Sequence, residues 1–163
     1  MEHTTNGTVT YVPPGEGKSY WTPGGHVATF KATSEDTGGA YTITEDTFPP
    51  QVGPPPHIHH TQEETFYVLE GEMEFIIDGV TTRAVTGSLV RIPRGVLRDY
   101  KNVGSKPARV LVLYAPGGFE GFFEEVGELV RDHFSAPEDP PDVGKLVAAA
   151  TKYGSEIPPF PQE

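Results

Sequence analysis

Apolar and polar positions alternate with a period of two through most of the chain up to Pro116, the signature of strands with one buried face. Residues 27–31, 41–48 (YTITEDTF), 65–70, 72–77, 80–85, 88–92 and 98–102 read as such strands, and 109–114 (RVLVLY) as a fully buried one. Residues 8–12 (TVTYV) are predicted as a first strand, followed by a turn-rich connection in which Tyr20 and Trp21 cover a core edge. Turn chemistry falls between the runs, at 36–39, Gly71, Asp78-Gly79, Gly87 and Pro93-Arg94-Gly95. Asp78-Gly79 predicts a tight hairpin, because both central residues of that turn need positive φ. Short strands joined by tight turns make an all-β, double-sheet antiparallel barrel over about residues 8–116.

The period changes after Pro116. Phe119, Phe122, Phe123, Val126, Leu129 and Val130 recur at helical spacing, which predicts an amphipathic helix of about fifteen residues. Its acids (Glu120, Glu124, Glu125) lie early, and Arg131 and His133 lie at its end, as the helix dipole favours. Gly121 and Gly127 each weaken it by roughly 1 kcal/mol relative to alanine. Asp142 is placed to cap a second helix over 143–153, which Gly154 ends, and 155–163 reads as an irregular tail. The expected organisation is one domain, 1–163, with a helical extension at about 117–154.

Composition narrows the function classes. The 163 residues carry 12 Lys and Arg against 23 Asp and Glu, a net charge of −11 with no basic run. Such a surface repels phosphate backbones and excludes nucleic acid as a partner. The absence of cysteine removes disulfide and thiol chemistry. Residues 1–7 show neither a basic start nor an apolar run, and no stretch is long enough to span a bilayer. A cytoplasmic protein with no membrane partner is expected.

The candidate chemistry lies in residues 54–71, PPPHIHHTQEETFYVLEG. His57 and His59 are two apart and point to one side of an extended strand. A carboxylate follows at Glu64, at the head of a β-rich run, while His60 has the opposite parity and is predicted to face away. Imidazole nitrogen and carboxylate oxygen together suit Fe, Mn, Ni, Cu or Zn. His26 stands alone in the sequence and reads as structural or solvated.

These residues carry a resemblance. His57-x-His59, four residues, Glu64, six residues and Gly71 resemble the first motif of the cupin superfamily. The motif's leading glycine is missing, with Gln51 in its place. Gly87, Pro93-x-Gly95 and Asn102 resemble the second motif, but its histidine is replaced by Arg98. A guanidinium has no lone pair to give and cannot ligate a metal. The layout of barrel and then helices is similar to that of the bacterial quercetinase-like cupins. The resemblance implies a jelly-roll (double-stranded β-helix) barrel with C-terminal helices, and a homodimer. It further implies a divalent transition metal (Fe, Ni, Mn or Cu) on His57, His59 and Glu64, with O2 as co-substrate.

Carried over from such enzymes, Glu64 is both ligand and base in the oxidative cleavage of a flavonol or other small oxygenated substrate. Arg98, which strand alternation turns inward with Tyr100, would contact that substrate beside it. Two other readings stay open. A metal-free cupin would pair Arg98 with Glu64 and use His57 or His59 as acid–base groups in an isomerase, cyclase or lyase. A non-catalytic cupin would only bind its small molecule.

Overall fold

The structure, a computed structural model, describes residues 7–131 and 136–159. Its elements run β1 (Ser19–Trp21), β2 (Val27–Ala32), α1 (Ser34–Thr37), β3 (Thr42–Phe48), β4 (His57–His59), β5 (Glu63–Glu70), β6 (Glu72–Ile77) and β7 (Val80–Val85). They continue with β8 (Leu89–Ile92), β9 (Leu97–Asn102), β10 (Ala108–Ala115), α2 (Glu120–Val126), β11 (Glu128–Leu129), α3 (Val143–Lys152) and β12 (Ser155–Glu156). Two antiparallel sheets form, one ordered β11-β1-β2-β3-β10-β5-β8 and the other β12-β4-β9-β6-β7. This is the all-β double-sheet barrel expected from the alternation, with the jelly-roll form that the resemblance implies.

The period-two pattern does the sorting. β10 buries Ala108, Val110, Val112 and Tyr114, and β5 buries Glu64, Phe66 and Val68, each on one face. Phe66, Phe75 and Tyr100 meet at centroid distances of 4.9 to 5.5 Å and knit the two sheets together. The hairpin between β6 and β7 has the expected chemistry, with φ of 49° at Asp78 and 76° at Gly79.

The structure corrects several expectations. Residues 8–12 form no strand; Val9 and Tyr11 lie exposed, and alternation without a neighbouring strand gains no hydrogen-bond ladder. The strand beside β2 is instead β1, which lies in the stretch read as turn-rich and has β11 on its other side at the sheet edge. The turn at 36–39 is a one-turn helix, α1, closed by Gly38 in the left-handed region.

The helix after Pro116 stops at Val126. Gly127 is extended, and a Cβ there would clash with the Phe123 carbonyl oxygen and lie 2.9 Å from that of Trp21. The chain then turns out to pair with β1, so Leu129 belongs to a strand; His133 lies outside the described residues. α3 forms as expected, with the Asp142 carboxylate accepting from the Lys145 amide at 3.0 Å. The tail is not wholly irregular, because β12 pairs Ser155 with His59 and Glu156 with Ile58. β4 therefore lies between β9 and β12. No helix among the described residues is long and apolar enough to cross a membrane.

Candidate metal centre

β4 presents His57 and His59 inward from one sheet, while β5 presents Glu64 from the other. All three are buried, and their ligand atoms lie within 4.8 Å of one another. His59 Nε2 stands 3.4 Å from Glu64 Oε2. Glu63, next to it in the chain, points outward and pairs with Arg91 at 2.6 and 2.7 Å. His60 also points outward, 2.7 Å from the Glu156 carboxylate.

Hydrogen bonding fixes what these groups can offer. His57 Nδ1 lies 2.8 Å from the Pro55 carbonyl oxygen. A carbonyl only accepts, so Nδ1 carries the proton and Nε2 keeps its lone pair. Burial and the neighbouring His59 hold the His57 imidazole down at about 4, so it is neutral at physiological pH. Burial pushes the Glu64 carboxyl up, but His59, Arg98 and His57 together outweigh it and hold the group at about 2. Neutral imidazole and ionised carboxylate are the forms that a metal takes.

Both ring nitrogens of His59 and Oε2 of Glu64 have no hydrogen-bond partner among the described residues. Buried polar atoms are normally paired, and leaving one unpaired costs about 1–3 kcal/mol. Unpaired donors converging on one point from two sheets fit a divalent transition ion.

Arg98 comes from β9, where it pairs in register with His57. It is fully buried, and Nη1 donates to Glu64 Oε1 at 3.0 Å. Nη2 donates to the carbonyls of Val96 (3.0 Å) and Pro93 (3.2 Å), and Nε to Val96 at 3.3 Å. The structure thus brings Arg98 to Glu64 but leaves it out of the wall of the adjoining cavity, which Tyr100 does line. Asn102, from the same motif, braces the barrel through the Phe48 and Lys106 carbonyls.

The cavity beside His57, His59 and Glu64 is small, about 50 Å³. That is room for a few waters. Its walls are aromatic: Phe119 packs edge-on to His59 at 4.6 Å and stacks on Tyr114 at 5.0 Å. Burial and the Glu64 carboxylate push the Tyr100 and Tyr114 phenols well above their usual range, so both remain donors. Phe122, Leu146 and Ile157 close the cavity from α2, α3 and the chain after β12.

Sequence reasoning missed Tyr114 and Phe119. The parity of the RVLVLY run points to the first, whereas no local signal turns the second toward His59. It also missed that His26 borders this cavity. Its Nδ1 is 2.9 Å from Thr22 Oγ1 and its Nε2 3.3 Å from Asp46 Oδ2, with the ring stacked on Phe48.

Residues 44–114 match the cupin domain family. Over 129 residues the chain is 29% identical to quercetin 2,3-dioxygenase of Bacillus subtilis (strain 168), a match covering 78% of this chain and 38% of that protein. The chain thus spans well under half the length of that relative. Among solved structures, the polyketide cyclase RemF from Streptomyces resistomycificus is similar at a TM-score of 0.60 and 25% identity, over 82% of this chain and 90% of that one. KdgF from a Halomonas species superposes at a TM-score of 0.60 and 16% identity, over 70% of this chain and 98% of that one, a likeness of fold alone.

Proposed function

Because this chain carries a cupin domain, we propose that it is a metal-dependent dioxygenase acting on a flavonol-like or other small oxygenated aromatic compound. One observation carries the reading: His59 and Glu64 Oε2 stand unpaired beside the free lone pair of His57 Nε2. These three residues would hold Fe, Ni, Mn or Cu. When bound, the metal supplies Lewis acidity toward a substrate oxygen and redox chemistry with O2.

The chain's own residues supply the rest. Glu64 Oε2 is placed to accept the proton of a substrate hydroxyl, while Arg98 fixes its other oxygen and orients the carboxylate. Tyr100 and Tyr114 offer phenolic donors to the substrate's oxygens. Phe119 and Phe122, themselves stacked at 5.0 Å, suit a flat ring and keep water out. A whole flavonol exceeds the space beside the ligands, so α2 and α3 must part from the barrel to admit it. The Bacillus subtilis relative supports the choice of reaction. The same reading makes the protein a cytoplasmic homodimer, and light scattering tests the dimer.

Elemental analysis of untagged protein, followed by flavonol turnover in air, tests the function. Stoichiometric metal, and turnover that a chelator removes, is the expected result. Absence of both sinks it.

A second reading rests on the Arg98–Glu64 pair, with both side chains wholly buried. Its charges cancel, so the site offers a dication no net negative charge. Metal-free acid–base catalysis through His57 or His59 then follows, of the cyclase or isomerase kind, and the likeness to a polyketide cyclase supports it. Activity indifferent to chelators would favour this reading. Ligand binding without turnover would leave a non-catalytic cupin.

A further inference from the structure

The cavity carries a second polar array that the proposed metal centre does not use. Thr22, His26 and Asp46 come from three places in the chain: the end of β1, the start of β2 and the middle of β3. All three are buried, and Thr22 and His26 line the cavity. Two rings separate this array from the metal centre. His26 stacks on Phe48 at 4.4 Å, Phe48 meets Tyr100 edge-on at 6.1 Å, and Tyr100 meets His57 at 5.8 Å.

His26 Nε2 faces Asp46 Oδ2 at 3.3 Å, an ion-pair distance, and since a carboxylate only accepts, a proton between them sits on Nε2. A neutral imidazole then has a lone pair on Nδ1, and the Thr22 hydroxyl donates to it across 2.9 Å. Thr22 Oγ1, its proton committed, is left as an acceptor. The second carboxylate oxygen, Asp46 Oδ1, is buried with no partner among the described residues. A hydroxyl, imidazole and carboxylate in series form a path for a proton leading away from the cavity.

We propose that Thr22, His26 and Asp46 form a second recognition point in the cavity, which accepts a hydroxyl of a polyhydroxylated aromatic substrate whose other end is held beside His57, His59 and Glu64. The substrate O–H donates to Thr22 Oγ1. If that proton transfers, Thr22 passes its own to His26 Nδ1, and the imidazolium formed is held by Asp46. One proton enters, one moves on, and no other reactant is needed. The inference deepens the reading of this cavity as a substrate site by specifying a second oxygen on the ligand, remote from the first.

A matched pair of ligands tests it. Quercetin and the parent flavonol share the same hydroxy-ketone, but quercetin has further hydroxyls on both outer rings. Binding of each is followed by quenching of Trp21, the single tryptophan, in wild type, Thr22→Val and Thr22→Ser, with metal content measured on the same samples. Wild type is expected to prefer quercetin by about fivefold, the scale of one hydrogen bond. Thr22→Val should abolish the preference without weakening the parent flavonol, and Thr22→Ser should restore it. Equal loss for both ligands in Thr22→Val marks a merely structural role and overturns the inference. A wild type without preference overturns it too, whatever its metal content. A preference lost in Thr22→Val from metal-free protein upholds the inference while sinking the metal reading.

Discussion

Two carboxylates buried in this barrel, Glu64 and Asp46, meet nitrogen partners at nearly equal distances. Arg98 Nη1 lies 3.0 Å from Glu64, and His26 Nε2 lies 3.3 Å from Asp46. The partners differ in what they can do next. A guanidinium keeps its charge at every accessible pH, and Arg98 spends its other donors on the Pro93 and Val96 carbonyls, away from the cavity. An imidazole can gain or lose a proton, and His26 faces the cavity through Thr22. The first pair is a fixed strut that aims Glu64, whereas the second has the parts of a relay. Charge permanence and access to the cavity, rather than distance, separate the two roles.

The comparison breaks first at Arg98. Arg98→Ala leaves an ionised Glu64 wholly buried without its cation, a change that costs about 3–5 kcal/mol. The thermal midpoint should drop clearly, and further than for Asp46→Asn, which removes a buried charge instead of stranding one. If Arg98→Ala melts with wild type, the strut carries no stability.

Acid titration sharpens the contrast next. His57 has its folded value lowered from 6.5 to about 4, so the unfolded chain binds protons first as pH falls. Stability from this group is full above about 6.5 and is lost between there and about 4, amounting to about 3 kcal/mol. Glu64, lowered from 4.5 to about 2, adds a similar loss in the lower window. Chemical denaturation at successive pH values should show both steps, and His57→Gln should remove the upper one.

A smaller effect concerns affinity for a divalent metal. Arg98→His exchanges the cation for a lone pair and should tighten metal binding about tenfold or more, measured by competition with a chelator. Weaker binding in that variant would make Arg98 part of a working site and not an obstacle to one. The smallest change is Tyr114→Phe, which keeps the stack on Phe119 but loses the phenol donor. It should lower the apparent kcat by about fivefold at unchanged thermal midpoint.

What the sequence revealed follows from how local each signal is. β3, β5, β6, β7, β9 and β10 are long enough to show their period, so the barrel was legible. β1, β11 and β12 have two or three residues, too few to carry a period, and exist only because a neighbouring strand pairs with them. The helix expected through Val130 ended early because Gly127 approaches the β1 backbone, a tertiary constraint that helical spacing does not record. In the site, His57, His59 and Glu64 fall within one short motif and were found together. Thr22, His26 and Asp46 have no common spacing, and only the folding of β2 onto β3 brings His26 and Asp46 together. The parity of Arg98 turned it inward, but parity does not say what it meets there.

The pairing of β12 with β4 has a consequence for the order in which the protein is made. Ser155 holds the Ile58 carbonyl across 97 positions of sequence, so the flank of the two-histidine strand is among the last parts of the barrel to leave the ribosome. Until it arrives, β4 has only β9 beside it, and the cavity lacks the wall supplied by Leu146, Ser155 and Ile157. His57, His59 and Glu64 therefore exist early in synthesis, but their enclosure comes late. Nascent chains that have not yet delivered β12 should expose these histidines to solvent, and the enclosed cavity forms only once that strand is in place.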